Sequence, residues 1–115
     1  GHGVGFFLNV HEGPQSISKY NQVKLKEGMI LSNEPGYYEK GKFGIRIENL
    51  IYIKKERNKL KFENLTMAPI DKDLINFKLL NSKEKEYLLK YNLDIYNHIS
   101  PYLSKNEKNW LINLI

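Results

Sequence analysis

The chain has 115 residues, 18 Lys and Arg against 13 Asp and Glu, and no cysteine. This length fits one globular domain or part of a larger one, and the lack of cysteine excludes a disulfide framework and a thiolate metal site. No apolar run approaches the ~20 residues that span a bilayer. The basic residues are spread out and do not alternate with aromatic residues on one face, so we expect neither a nucleic acid nor a membrane as partner.

The first segment is rich in glycine and does not begin with methionine. It resembles neither a signal peptide nor a transit peptide, and we interpret its start as a cut within a longer protein. Three glycines in the first five positions flank His2 and indicate close backbone approach or positive φ. The apolar residues 6–10 then predict a short strand or a loop packed on a core, and residues 16–26 predict a surface loop.

A short apolar run at residues 29–33 ends at Glu34 and predicts a buried strand. The Pro35-Gly36 pair suits the central positions of a type II turn, and residues 39–42 predict a hairpin connection.

The strongest strand signal covers residues 43–53, where apolar side chains first alternate and then become continuous. On this strand Arg46 and Glu48 share one face two residues apart, so their head groups can touch. Residues 54–59 predict a charged turn, and residues 60–67 predict an edge or partner strand.

The pattern becomes helical after Pro69. Asn81 with Glu84 three residues later predicts an N-cap pair that opens a helix ending near Ile99. The apolar residues of this helix form one stripe at spacings of three and four: Leu88, Tyr91, Ile95 and Ile99. Ser100-Pro101 indicates the start of a last helix, and neither helix carries candidate chemistry.

The candidate residues for chemistry are His2, His11, Glu34, Arg46 and Glu48. A carboxylate buried among β-branched residues, as predicted for Glu48, needs a cation from the protein or a metal. A structural ion pair between Arg46 and Glu48 is therefore one interpretation. Taken singly, Glu34 suits an exposed turn, His2 a packed histidine and His11 a loop histidine.

Four motifs occur in order in the first half of the chain: Gly1-His2-Gly3-Val4-Gly5, Leu8-Asn9-Val10-His11-Glu12-Gly13-Pro14, Asn33-Glu34-Pro35-Gly36-Tyr37-Tyr38 and Gly44-Ile45-Arg46-Ile47-Glu48-Asn49. Together they closely resemble the Xaa-Pro aminopeptidases, the aminopeptidase P branch of the pita-bread metallopeptidases. The resemblance implies an α+β fold, with the C-terminal half of a curved antiparallel catalytic domain over residues 1–68. Residues 69–115 then correspond to a C-terminal helical extension.

The same resemblance implies a site with two divalent metal ions, usually manganese, bound by two aspartates, one histidine and two glutamates. His2 matches the ligand histidine and Glu48 the glutamate that bridges both metals. Glu34 matches the glutamate that binds one metal and handles the proton of the bridging water. His11 matches a histidine that contacts the substrate, and Arg46 would hold a carboxylate ligand. Oxygen-rich ligation with one imidazole suits manganese-class ions.

The implied activity is removal of the N-terminal residue from peptides with proline at the second position, by a cytoplasmic homodimer. No aspartate precedes Asp71, so the two aspartate ligands would lie outside these residues, and we expect the 115-residue chain alone to be inactive. Two alternatives remain open at this point. One is a prolidase-type dipeptidase, and the other is a pita-bread domain without metal that serves as a binding module.

Overall fold

Six strands precede two helices along the chain, as predicted for an α+β fold. They are β1 (Gly3–Val4), β2 (Ile30–Asn33), β3 (Gly36–Glu39), β4 (Phe43–Arg46), β5 (Asn49–Glu56), β6 (Lys59–Asn64), α1 (Ser82–Ile99) and α2 (Lys105–Leu114). The computed structural model describes residues 1–115 and separates them into two units, Gly1–Thr66 and Met67–Ile115. Neither helix is long and apolar enough to cross a membrane.

The main sheet of the first unit has four antiparallel strands in the order β1-β2-β5-β6. Its core forms where β2 and β5 pair, with Leu31 opposite Ile51 and Ile53 buried further along β5. Leu25 and Met29 pack against this cluster. The predicted buried strand at residues 29–33 is confirmed as β2, and the strand predicted at residues 60–67 is the edge strand β6, which ends earlier than predicted, at Asn64.

A separate two-stranded sheet consists of the hairpin β3–β4. Gly41, with φ of 74°, occupies its turn, which confirms the predicted hairpin at residues 39–42. The prediction of one strand over residues 43–53 is wrong, because β4 and β5 belong to different sheets. Ile47 and Glu48 connect these two sheets and are exposed, so the predicted burial of Glu48 is wrong as well.

Three further predictions for the first unit are wrong. A type II turn needs positive φ at its third residue, but Gly36 has no positive φ and begins β3 opposite Arg46. The apolar side chains of residues 6–10 are exposed rather than packed on a core. The charged turn is shorter than predicted, because β5 continues to Glu56 and Arg57, with φ of 55°, turns the chain.

The second unit buries one apolar stripe between its helices. Asn81 and Glu84 form a reciprocal capping box at the start of α1, as predicted, and α1 buries Tyr91 and Ile95 against Leu111 of α2. The start predicted at Ser100-Pro101 is only a single 3-10 turn. The last helix begins later because Ser104 and Glu107 form its capping box.

Candidate metal centre

Ser32 of β2 connects two of the predicted site residues. The Ser32 backbone N–H donates to the His2 carbonyl at 2.8 Å, an edge pairing that brings the N-terminal segment to the end of β2. The fully buried Ser32 hydroxyl accepts from the His2 backbone N–H at 2.9 Å and donates to Glu34 Oε1 at 2.7 Å. One serine therefore fixes the backbone of His2 and the carboxylate of Glu34.

The ring of His2 has a defined tautomer. Its Nδ1 lies 2.8 Å from the Gly3 carbonyl oxygen, which only accepts hydrogen bonds, so Nδ1 carries the hydrogen. In the neutral ring the lone pair is then on Nε2, which lies 3.6 Å from Glu34 Oε1. A lone pair facing a carboxylate is unfavourable unless a cation lies between them or the ring is protonated. An Nδ1–H held by a backbone carbonyl is the usual arrangement of a metal-ligating histidine.

Arg46 at the end of β4 links the two predicted glutamates. Its Nη1 lies 3.6 Å from Glu34 Oε2, and its Nε lies 3.1 Å from Glu48 Oε2. The contact between Arg46 and Glu48 that the sequence spacing predicted is therefore present. Each glutamate is left with one oxygen that is not paired with Arg46, and the one of Glu34, Oε1, accepts the hydrogen bond from Ser32.

Tyr38 of β3 is a further partner of Arg46. Glu48 above all, and then the hydrogen-bonded Tyr38, raise the pKa of the Arg46 guanidinium. The Tyr38 ring lies across Gly44, its partner on β4, where a Cβ atom would be 2.5 Å from Tyr38 Cδ1. Glycine at this position therefore allows the ring to lie flat and place its hydroxyl near Arg46.

His2, Glu34 and Glu48 form a donor set that fits a divalent cation. One ligand atom from each residue lies within 4.8 Å of the others. The hydrogen bond from Ser32 is the main cause that lowers the pKa of the Glu34 carboxyl group, and the charges of the N-terminal ammonium, His2 and Arg46 lower it further against the opposing effect of burial. Glu34 is therefore an anion at neutral pH, and the set combines one imidazole with two carboxylates, which suits manganese-class ions.

His11 lies beside this cluster with its side chain exposed to solvent. Its ring centroid is 4.5 Å from that of His2, and the two rings are edge-to-face at 80°. The structure thus brings all five candidate residues of the sequence analysis into one place.

Two residues of the site were not predicted from the sequence. Ser32 precedes Glu34 by two positions, and this spacing places neighbouring strand residues on one face. Tyr38 lies opposite Gly44 in the hairpin register. The spacing of Ser32 from Glu34 and the register of Tyr38 with Gly44 point to the site only when the strand pairing is known.

The α+β fold and this cluster of an imidazole and two carboxylates define a candidate metalloprotein. Two sequence profiles narrow this class: one described as metallopeptidase family M24 matches residues 1–55, and one for the C-terminal region of peptidase M24 matches residues 58–114. The chain belongs to metallopeptidase family M24.

Similar proteins share one description. The chain is 45% identical to the probable Xaa-Pro aminopeptidase P of Coprinopsis cinerea, over 96% of this chain and 20% of that protein. It is 47% identical to the protein of the same description from Botryotinia fuckeliana, over 96% of this chain and 19% of that protein. The chain thus spans about a fifth of the length of the curated relatives it matches.

A solved structure shows the same fold. It is the X-prolyl aminopeptidase from Caenorhabditis elegans, described as a cytosolic enzyme with a di-nuclear active site. The TM-score is 0.83 at 34% sequence identity, covering 98% of this chain and 20% of that one. The resemblance and the pita-bread fold that were predicted from the four motifs are confirmed.

Proposed function

We propose that this chain is the C-terminal part of a dinuclear-metal Xaa-Pro aminopeptidase, which removes the N-terminal residue from peptides with proline at the second position. The observation that carries this proposal is the convergence of His2, Glu34 and Glu48 within 4.8 Å in a member of family M24. The names of the similar proteins favour this activity over that of a prolidase-type dipeptidase.

The metal ligands from this chain would be His2, Glu34 and Glu48, and two aspartates from outside these residues would complete the set. The hard oxygen donors with a single imidazole favour manganese. When bound, a metal pair lowers the pKa of a bridging water and stabilises the negative charge that develops on the scissile carbonyl.

The protein residues would divide the remaining work. Glu34, held by Ser32, accepts a proton from the attacking water and passes it to the leaving proline nitrogen. Arg46 keeps the carboxylates of Glu34 and Glu48 side by side despite their like charges. His11, exposed beside His2, donates an N–H to the substrate oxygen where negative charge develops.

We also propose that residues 1–68 are the C-terminal half of the catalytic domain and that residues 69–115 are its helical extension. The complete protein would be a homodimer, as the family resemblance implies, and would be cytosolic like the enzyme from Caenorhabditis elegans. Because two ligands lie elsewhere, the 115-residue chain by itself would be inactive.

The test uses the full-length protein that contains this sequence, stripped of metal by a chelator and reloaded with manganese. We expect about two bound ions per protomer and hydrolysis of X-Pro-Y tripeptides, with little hydrolysis of X-Ala-Y. Cleavage restricted to X-Pro dipeptides would favour the prolidase alternative. A protein that binds no ion after manganese addition would be a binding module without metal. The 115-residue chain, assayed in parallel, should show no hydrolysis.

A further inference from the structure

The backbone of His2 is paired on both of its sides. On one side lies β2, where the Ser32 N–H donates to the His2 carbonyl at 2.8 Å. On the other side His2 forms an antiparallel bridge with Ser16. The segment that carries His2 is therefore the middle one of three, and the segment of Ser16 is the outer one.

The side chain of Gln15 connects the outer segment to β2. It is buried, with 9% of its surface exposed, and its Nε2 donates to the Ile30 carbonyl of β2 at 3.1 Å. Gln15 and Ser32 are the buried polar residues of the first unit. Because burial of an amide side chain is unfavourable without a hydrogen bond, the bond to Ile30 holds Gln15 in this crossing position.

Gly3 in the middle segment gives Gln15 the space to cross. A Cβ atom at Gly3 would lie 3.0 Å from Gln15 Cδ, 2.8 Å from the Gln15 carbonyl oxygen and 2.1 Å from the Glu12 carbonyl oxygen. Neighbouring residues of an extended segment point to opposite faces. Gln15 therefore packs on the face opposite to the one that carries the His2 ring, and it supports the segment without being part of the donor set.

The Gly3 carbonyl is the group through which Gln15 acts on His2. This carbonyl accepts hydrogen bonds from His2 Nδ1–H at 2.8 Å and from the Glu12 backbone N–H at 3.0 Å. Its position determines which ring nitrogen of His2 carries the hydrogen and where the lone pair of Nε2 points. Groups that orient a metal-ligating histidine in this way typically contribute about 10–100-fold to metal affinity or activity. A shift of the Gly3 backbone would therefore weaken His2 as a ligand.

We propose that Gln15 is a positioning residue for the metal ligand His2. By joining the outer segment to β2 across Gly3, it keeps the Gly3 carbonyl where this group fixes the tautomer and the direction of the His2 ring. This inference rests on the proposed metallopeptidase function and adds to it a residue that sets metal affinity through the backbone. Gln15 is not a catalytic residue, because its amide is bonded to the Ile30 carbonyl behind the site.

The test compares Gln15→Met, Gln15→Glu and the control Gln22→Met in the full-length protein that contains this sequence. Methionine keeps the length and volume of glutamine but has no N–H donor, and glutamate keeps its shape but places a negative charge against the Ile30 carbonyl. We expect the dissociation constant for manganese, titrated into the metal-free protein, to rise about tenfold in Gln15→Met and further in Gln15→Glu. Excess manganese should restore the lost hydrolysis of X-Pro-Y peptides. The exposed Gln22 should show no effect.

Amide hydrogen exchange of the metal-free protein gives a readout that needs neither metal nor activity. Residues 1–5 should exchange faster in both Gln15 variants than in wild type, whereas the exchange of β5 should be unchanged. Equal acceleration in both segments, or a Gln15→Met variant that does not fold, would show that Gln15 serves only overall stability and would overturn the inference. Unchanged manganese affinity in a folded Gln15→Met variant would overturn it as well.

The wild-type protein separates this inference from the proposed function. If it neither binds manganese nor hydrolyses X-Pro-Y peptides, the proposed function is contradicted. If it does both and the Gln15 variants match it, only the role of Gln15 is contradicted.

Discussion

Polar side chains serve different purposes in the two units of the chain. In Gly1–Thr66 they join distant segments: the hydroxyl of Ser32 contacts a residue 30 positions away, at His2. In Met67–Ile115 the capping boxes of Asn81 with Glu84 and of Ser104 with Glu107 connect residues only three positions apart. The longer-range hydrogen bonds of that unit, such as the one from the Tyr91 hydroxyl to the Ala68 carbonyl, join a side chain to the backbone and do not connect two side chains. The first pattern fixes the relative placement of strand ends, and the second only completes the ends of helices.

Because of this difference, we expect substitutions at the site in the first unit to affect activity and substitutions in the second unit to affect stability. The site network leaves Glu48 with an exposed side chain that contributes no apolar burial, so changes there should affect chemistry and spare the fold. The helical unit buries Tyr91, Ile95 and Leu111 and has no candidate ligand cluster. Changes in that unit should alter the free energy of unfolding and leave the chemistry of the ligands intact.

The largest expected effect is that of Glu48→Gln in the full-length protein. Glutamine keeps the shape but removes the negative charge that would face a metal and that pairs with Arg46 at 3.1 Å. We expect kcat/KM to fall by about 10³-fold or more, with reduced metal content and with an unchanged melting temperature of the metal-free protein. Glu63→Gln is the matched control, since Glu63 pairs with Lys54 on the sheet surface at 3.5 Å. Full activity of the Glu48 variant would contradict its assignment as a ligand.

A smaller effect is expected for Ser32→Ala, which removes the hydroxyl that donates to Glu34 and accepts from His2. Partners of metal ligands typically contribute 10–100-fold to metal affinity or activity, and we expect a loss of about this size. Metal titration and kcat/KM, measured with exposed Ser82→Ala as control, distinguish this role from a general loss of stability. Unchanged metal affinity and activity in Ser32→Ala would show that the hydroxyl only fills space.

The features that the sequence predicted correctly depend on short spacings. The cap at Asn81, the turn at Gly41 and the contact of Arg46 with Glu48 each need only two to four neighbouring residues. The ligand assignments for His2 and Glu34 came from a motif resemblance, because spacing alone did not relate residues so far apart.

Most of the predictions that failed concern features that depend on contacts between residues far apart in the sequence. Alternation continues through Ile47 and Glu48, so nothing local shows that the chain passes from one sheet to the other there. Ser32 was missed for the same reason, since its partner His2 is set by strand pairing. One failure is local: the apolar character of residues 6–10 suggested burial, but these side chains are exposed, and apolar patterning does not show that the Glu12 carboxylate accepts hydrogen bonds from the backbone of this loop.

The smallest effect is expected for Glu107→Gln, which tests the capping box at the start of α2. The hydrogen bonds from Ser104 lower the pKa of Glu107 below its usual value of 4.5, so the folded state favours the ionised form. The unfolded chain then binds more protons as the pH falls, and the stabilisation by Glu107 is present above about pH 4.5 and is lost as the pH drops through the lower folded value.

Glutamine can still accept the capping hydrogen bond, so this substitution removes only the charge at the start of α2. We therefore expect wild type to have a slightly higher free energy of unfolding than Glu107→Gln at pH 7, and the two to converge near pH 3. Denaturant titrations followed by helix circular dichroism measure this difference, with exposed Glu86→Gln inside α1 as control. If the difference stays the same at both pH values, the cap acts through hydrogen-bond geometry alone. Activity of the full-length protein at pH 7 should be unchanged, because the local caps of the second unit contribute no ligand to the site.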